Sequence, residues 1–124
     1  MNKSILGVSA IFGVLAVILG AFGAHQLQDQ LEPEKMASFE TGVRYMIYHV
    51  LATVMISNTP MISVRSKNFI GLFFVFGIML FSGSIFLLTL DLVEAKRIWF
   101  VTPLGGILFI LGWSTAAISF FKRS

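Results

Sequence analysis

The sequence predicts an all-α fold: a polytopic membrane protein whose four transmembrane helices form an up-down-up-down bundle. Hydrophobic residues make up 56% of the 124 residues and charged residues only 12%, whereas a typical soluble protein carries about 25% charged residues. Four apolar stretches are each long enough to cross a bilayer, which takes roughly 20 helical residues. The links between these stretches are short, so successive helices must run antiparallel as neighbours.

The apolar stretches place the predicted helices near residues 5–27, 38–58, 68–90 and 99–121, within a single transmembrane domain that covers residues 1–124. Each stretch lacks the alternation of a barrel strand, and a helix satisfies its own backbone polar groups in lipid. The first stretch contains an apolar run of about 20 residues, longer than the roughly 7–15 of a signal-peptide core. We therefore expect the first stretch to be retained as a helix.

Small residues recur along the helices at spacings of three and four. In the first helix they fall on one face, and such faces let helix backbones approach closely in lipid. The third and fourth helices offer similar positions, so the predicted packing residues are Gly13, Ala16, Gly20, Gly23, Ala24, Gly83, Gly105 and Gly106. Packing within the bundle is the favoured interpretation. A face that binds a second copy of the protein is the alternative.

The second helix carries more polar residues than the others. Pro33 suits the first turn of a helix, so this helix is expected to begin before the lipid core. Glu40 and Arg44 lie four residues apart with the acid first, which favours an ion pair at the membrane edge over a contact between Arg44 and an anionic headgroup. Tyr45 and Tyr48 lie where aromatic residues commonly anchor a helix at the membrane interface.

His49 lies deeper in the second helix, inside the lipid. An ionisable residue at such a depth is a candidate functional site, but a hydrogen bond to Tyr45, to a serine or to a backbone carbonyl is the favoured interpretation. The antiparallel order brings polar residues of other helices into the same outer half of the bilayer, toward the acidic loops. The predicted polar cluster consists of His25, Arg44, Tyr45, His49, Ser82, Ser84 and Thr102, with His25 at its mouth.

The basic residues predict the orientation in the membrane. The N-terminus, the second loop and the C-terminus share one side, which carries Lys3, Arg65, Lys67, Lys122 and Arg123. The opposite side carries all six acidic residues and four basic ones, namely Lys35, Arg44, Lys96 and Arg97. Basic residues are enriched on the cytoplasmic side of membrane proteins. We therefore predict that both termini are cytoplasmic.

The residues that the chain lacks disfavour several function classes. Without cysteine it has no disulfide and no cysteine metal site, and no predicted helix has a charged residue at its middle, which disfavours proton-coupled transport. His25 and His49 lie at different depths and lack metal-ligand spacing, so we expect neither haem nor a metal. The scattered basic residues disfavour nucleic acid as a partner. We predict no catalytic residue and no cofactor.

Four motifs in this order carry a family resemblance. They are GAFGAHQL (residues 20–27), FETGVRYMIYHVLA (39–52), FSGSIFLLTL (81–90) and TPLGGILFILGW (102–113). Together they resemble the YgdD/YwdK type of small bacterial inner-membrane protein, a domain of unknown function with eukaryotic transmembrane relatives. The resemblance covers nearly the whole chain. It implies four helices in a bacterial cytoplasmic membrane and brings no established substrate, cofactor or reaction.

Two hypotheses on function follow. The first is a non-enzymatic integral membrane protein with a structural or interaction role, which supports membrane integrity or binds another membrane protein. Its partners would be the lipid bilayer and either a second copy or a different membrane protein. The alternative is a binding or permeation site for a small polar solute, a lipid headgroup or a proton, built on His49 and its polar neighbours.

Overall fold

The computed structural model describes residues 1–122, and these residues form helices without any strand. The helices are α1 (Lys3–Phe22), which continues into a π-helical turn (Gly23–Leu27), then α2 (Pro33–Ser57), α3 (Val64–Thr89), a short α4 (Ala95–Ile98) and α5 (Val101–Phe121). The predicted all-α class and four-helix membrane bundle are thus confirmed. Of the residues used to predict orientation, Arg123 lies outside the described part.

Three helical segments are long and apolar enough to cross a membrane: Lys3–Leu27, Val64–Thr89 and Ala95–Phe121. The exception is α2, which has the length but carries several charged residues in its first half. This helix instead packs along both α1 and α3. The sequence predicted four apolar spans. The second of them, α2, is present as a long helix of the bundle, but its composition is more polar than that of the other three.

The four long helices are arranged around α3. The contact between α3 and α5 is the most extensive in the molecule, followed by those of α2 with α3 and α1 with α2. Phe74, Ile70 and Ile78 of α3 are fully buried in the resulting core. Because α5 packs mainly on α3, the backbones of α2 and α5 stay apart, and only long side chains connect them.

Two helix crossings depend on glycine. A Cβ on Gly105 of α5 would lie 2.3 Å from the backbone nitrogen of Phe81, so α3 and α5 meet at this point with no space for a side chain. A Cβ on Gly23 would lie 2.7 Å from the Phe39 ring of α2. Both positions are among those predicted to pack, and the close approach explains why a larger residue does not fit.

The other predicted packing residues are placed less uniformly. Ala16 is buried, and Gly13 and Gly20 face α2 at ordinary contact distances of 3.5 Å for an added Cβ. Ala24, by contrast, is exposed. An added Cβ would meet nothing within 4 Å at Gly83 and only one atom, at 3.9 Å, at Gly106. These last two glycines therefore do not lie at a close helix contact, because a side chain at either position would have space.

Local features of the sequence explain where two of the long helices begin, and the last long helix begins later than predicted. Ser63 accepts a hydrogen bond from the backbone N–H of Ser66 (3.2 Å), the usual geometry of an N-terminal serine cap, so α3 starts four residues before the predicted boundary. Pro33 occupies the first turn of α2, as its sequence position indicates. Trp99 does not open the last long helix, since it follows the short α4 and α5 begins only at Val101.

Candidate functional site

His49 is buried on α2, and both nitrogens of its imidazole ring make hydrogen bonds. Nε2 lies 3.0 Å from Nε1 of Trp113 on α5, and an indole N–H can only donate. Nε2 is therefore the acceptor, which leaves Nδ1 as the protonated nitrogen that donates to the Tyr45 carbonyl at 2.7 Å. The contacts thus assign the neutral Nδ1–H tautomer to this ring.

Aromatic rings enclose the His49 imidazole on its remaining sides. The ring stacks face to face on Phe109 with 3.7 Å between centroids and an interplanar angle of 8°. Phe74 meets it edge-on at 5.0 Å. Thr53, one turn further along α2, donates to the His49 carbonyl at 2.7 Å. The surroundings resemble a packed helix interface in which one polar pair is accommodated.

The contacts between α1 and α2 determine the position of His49 relative to α1. A Cβ on Gly13, the middle residue of the apolar run of α1, would meet Val50, the neighbour of His49. His49 lies about 12 Å before the end of α2 at Ser57 and twice as far from its start, given a rise of about 1.5 Å per residue. His49 therefore lies level with the middle of α1, and its position in the outer half of the bilayer stays a prediction.

The serines of the third helix make two further contacts between helices. The buried Ser82 hydroxyl donates to the Gly42 carbonyl of α2 at 2.7 Å. The Ser84 hydroxyl pairs with Thr102 of α5 and is also 3.0 Å from the Phe81 carbonyl. Each serine thus uses its hydrogen-bonding capacity on a neighbouring helix or on its own backbone.

Three polar contacts therefore connect three helices in pairs. Ser82 joins α3 to α2, Ser84 joins α3 to α5, and His49 with Trp113 joins α2 to α5. Hydrogen bonds between helices are one of the few forces that hold helices together in lipid, where apolar side chains gain little by leaving the solvent. The predicted polar cluster is thus divided into separate interhelical contacts at different depths.

The remaining members of the predicted cluster lie at the surface of the bundle. Arg44 is half-exposed, with its guanidinium 4.0 Å from Glu40 and 3.2 Å from the Thr41 hydroxyl. Tyr45 is partly exposed and stacks on Phe81 with 4.9 Å between ring centroids. Neither side chain enters an enclosed polar cavity.

His25 does not join His49. It lies in the π-helical turn, whose inward residues are Gly23 and Leu27, and its own side chain is exposed. None of the contacts of the His49 ring involves this turn. The two histidines therefore do not converge.

Sequence reasoning missed Trp113, which was counted only as part of a motif. The signal was available, because a tryptophan in the interior of an apolar helix has an N–H that needs an acceptor when it is not at the membrane interface. The sequence could not show which acceptor it finds. His49 and Trp113 are far apart in the chain and meet only because α2 and α5 flank α3.

Metal-ligating and charged groups are sparse in the part of the chain that the structure describes. Within residues 1–122 no three His, Cys, Asp or Glu side chains are close enough together to hold a metal ion. The charged pair that crosses between elements is Lys35 with Asp91, whose ammonium and carboxylate approach to 2.8 Å at the bundle's acidic end. At the middle of the bundle, His49 with Trp113 is the polar contact between helices.

Comparison with known proteins gives the family. Residues 19–106 match the family model described as "Protein of unknown function (DUF423)". The chain belongs to this family. The matched DUF423 segment contains all seven residues of the predicted polar cluster, while Trp113 lies beyond it.

Relatives extend the DUF423 match over nearly the whole chain. A UPF0382 membrane protein of Staphylococcus saprophyticus is 38% identical over 97% of this chain and 98% of its own length. The UPF0382 membrane protein YwdK of Bacillus subtilis is 33% identical over 97% and 98%, and the UPF0382 inner membrane protein YgdD of Escherichia coli is 34% identical over 91% and 86%. The family resemblance is therefore confirmed. No solved structure matches the chain.

Proposed function

We propose that this membrane protein has a non-enzymatic structural or interaction role in the bacterial cytoplasmic membrane, supporting membrane integrity or binding another membrane protein. One observation carries the proposal. The polar side chains of the helix interior are engaged with one another or with backbone carbonyls, among residues 1–122 with the sole exception of the Ser9 hydroxyl. Such an interior supports a stable scaffold, because a solute pathway needs polar groups that are free to exchange partners.

The same contacts weigh against a permeation or binding site at His49. A ring nitrogen that already accepts from Trp113 cannot take up a proton unless that hydrogen bond breaks. Phe109 and Phe74 cover the ring and leave little space for a solute. These features support the structural or interaction role over a polar binding site at His49.

Flux through the purified protein separates the two functions. A scaffold is expected to leave the proton leak of proteoliposomes equal to that of empty vesicles, measured with an entrapped pH-sensitive dye. A proton leak that is raised by the wild-type protein and removed in a His49→Leu variant, with an exposed Val17→Leu variant as control, would overturn the proposal.

A deletion strain tests the role in the cell. The proposal predicts changed membrane leakage or a changed abundance of specific membrane proteins, both restored by the wild-type gene. Unaltered leakage, stress tolerance and membrane-protein abundance in the deletion strain would count against it.

The orientation with both termini in the cytoplasm belongs to the same proposal. It is supported by the sequence, which assigns five basic residues to the side of the termini (Lys3, Arg65, Lys67, Lys122 and Arg123) and four to the opposite side. Since the chain has no cysteine, single-cysteine variants can be labelled without background. An impermeant maleimide added to intact spheroplasts should label Asp29→Cys and leave Thr59→Cys unlabelled. The reverse pattern would invert the orientation.

A further inference from the structure

An apolar groove runs along the seam between α2 and α5. Its walls include Tyr48, Ala52 and Met55 of α2 together with Trp113 and Phe120 of α5, and its cavity volume is about 380 Å³. Pockets that hold small molecules commonly have volumes of roughly 300–1,000 Å³. The groove exists because both helices pack on α3 and their backbones stay apart.

The groove has the length of one bilayer leaflet. Its wall extends from Tyr48 of α2 to Thr59, two residues beyond the end of that helix, and the helical part from Tyr48 to Ser57 is about 14 Å long at a rise of about 1.5 Å per residue. That is close to half of the hydrocarbon thickness of roughly 30 Å. One end of the groove lies near the middle of α5, where Trp113 crosses the seam to reach His49. Its other end coincides with the last turns of α2 and α5.

Two lysines lie near that other end, one beside α2 and one after α5. The Lys67 ammonium donates to the Ser57 carbonyl at 3.0 Å, which holds it beside the last turn of α2 with two N–H donors remaining. Lys122 is exposed and directly follows the last turn of α5, two residues after Phe120. Among residues 1–122, this end of the bundle carries four basic side chains and no Asp or Glu, the four being Lys3, Arg65, Lys67 and Lys122.

We propose that this groove binds one acyl chain of an anionic phospholipid whose phosphate contacts Lys67 and Lys122. The length favours a lipid over a partner helix, because a transmembrane helix needs a docking surface across both leaflets and the Trp113–His49 contact interrupts the seam. The charge favours an anionic headgroup, since cations without neighbouring carboxylates at a membrane surface attract anionic lipids. The site is independent of the scaffold role proposed above.

Trp113 lines the groove and serves as its own probe. A Trp99→Phe variant leaves Trp113 as the single tryptophan, because the chain has two. This variant is reconstituted in phosphatidylcholine vesicles that contain either phosphatidylglycerol or phosphatidylcholine brominated near the middle of an acyl chain. Brominated phosphatidylglycerol should quench the fluorescence of Trp113 at a mole fraction at least about fivefold lower than brominated phosphatidylcholine does. A preference of about fivefold is what one surface cation gives.

Two substitutions in this background test the headgroup contact and the groove separately. Lys122→Gln should reduce the preference for phosphatidylglycerol about fivefold, and its exposed position keeps the fold intact. Ala52→Leu should fill the groove and abolish quenching at low mole fraction. Ala10→Leu, the same change on the exposed face of α1, should have no effect.

Three results would overturn the assignment. Equal quenching by both brominated lipids would indicate ordinary contact with bulk lipid. An unchanged preference for phosphatidylglycerol in the Lys122→Gln variant would show that Lys122 does not contact the headgroup. Shielding of Trp113 from both lipids, together with disulfide crosslinking between copies of a Met55→Cys variant, would show that a second copy of the chain occupies the groove.

Discussion

Replacing Trp113 with phenylalanine isolates the hydrogen bond that connects α2 to α5. The variant removes the indole N–H that His49 Nε2 accepts at 3.0 Å, while an aromatic ring remains next to Phe74. A buried acceptor without a partner costs about 1–3 kcal/mol in soluble proteins. Hydrogen bonds between membrane helices average about 0.6 kcal/mol and reach about 1.7 kcal/mol.

The structure places the His49–Trp113 contact in the upper part of that range. His49 is only 5% exposed, and its other nitrogen is occupied by the Tyr45 carbonyl, so Nε2 has no other donor when the indole is removed. We therefore expect the hydrogen bond to contribute about 1–1.7 kcal/mol to the free energy of unfolding.

A double-mutant cycle measures this contribution directly. The variants are Trp113→Phe, His49→Phe and the double variant, each unfolded at equilibrium by increasing the fraction of sodium dodecyl sulfate in mild-detergent micelles. Phenylalanine at position 49 keeps a ring that can stack on Phe109, so the coupling energy reports the hydrogen bond. The same cycle between His49→Phe and Trp99→Phe serves as control and should be additive. A coupling energy within about 0.3 kcal/mol of zero, the error to which independent sites add, would refute the contact.

The same unfolding measurement tests three further predictions. Gly105→Ala should lower the free energy of unfolding by about 3 kcal/mol or more, because its Cβ would overlap a backbone nitrogen of α3. Gly83→Ala should be neutral or should raise the free energy of unfolding by up to about 1 kcal/mol through helix propensity. Equal effects of the two variants would contradict the close approach of α3 and α5 at Gly105. Ser82→Ala should lower the free energy of unfolding by about 0.6–1.7 kcal/mol through loss of its hydrogen bond to α2. An unchanged unfolding midpoint would contradict that hydrogen bond. Lys35→Gln should cost only about 0.2–1 kcal/mol, since its ion pair is largely solvent-exposed; a larger loss that salt does not reduce would show that the pair is buried.

The fold followed from the sequence because lipid leaves few choices. A long apolar stretch must be helical to satisfy its backbone, and short links make successive helices antiparallel. The family motifs led to the same architecture, which the helices of the structure confirm. Helix ends were harder, because the start of α3 depends on the hydroxyl of Ser63 as much as on hydropathy.

The candidate polar residues were less predictable. The depth of His49 was predicted from its distance along α2, and the polar first turns of that helix do not mark the membrane edge sharply. What the structure adds is the position of this part of α2 relative to its neighbour: Val50 packs beside Gly13, near the middle of α1. The rotation of each helix about its axis could not be read from the sequence either, so Gly83 and Gly105 were both predicted to pack, and only Gly105 lies at a close helix crossing.

By itself, the sequence determined that the protein lies in lipid, how many long helices it has and that successive helices are antiparallel, since these depend on composition and segment length. Only the tertiary structure decided which side chains meet. The pairing of His49 with Trp113, the separation of His25 from both, and the groove between α2 and α5 all depend on how each helix is turned about its own axis on α3. Apolar composition on every side of a transmembrane helix leaves that rotation unmarked in the sequence, because lipid and protein interior are similarly apolar surroundings.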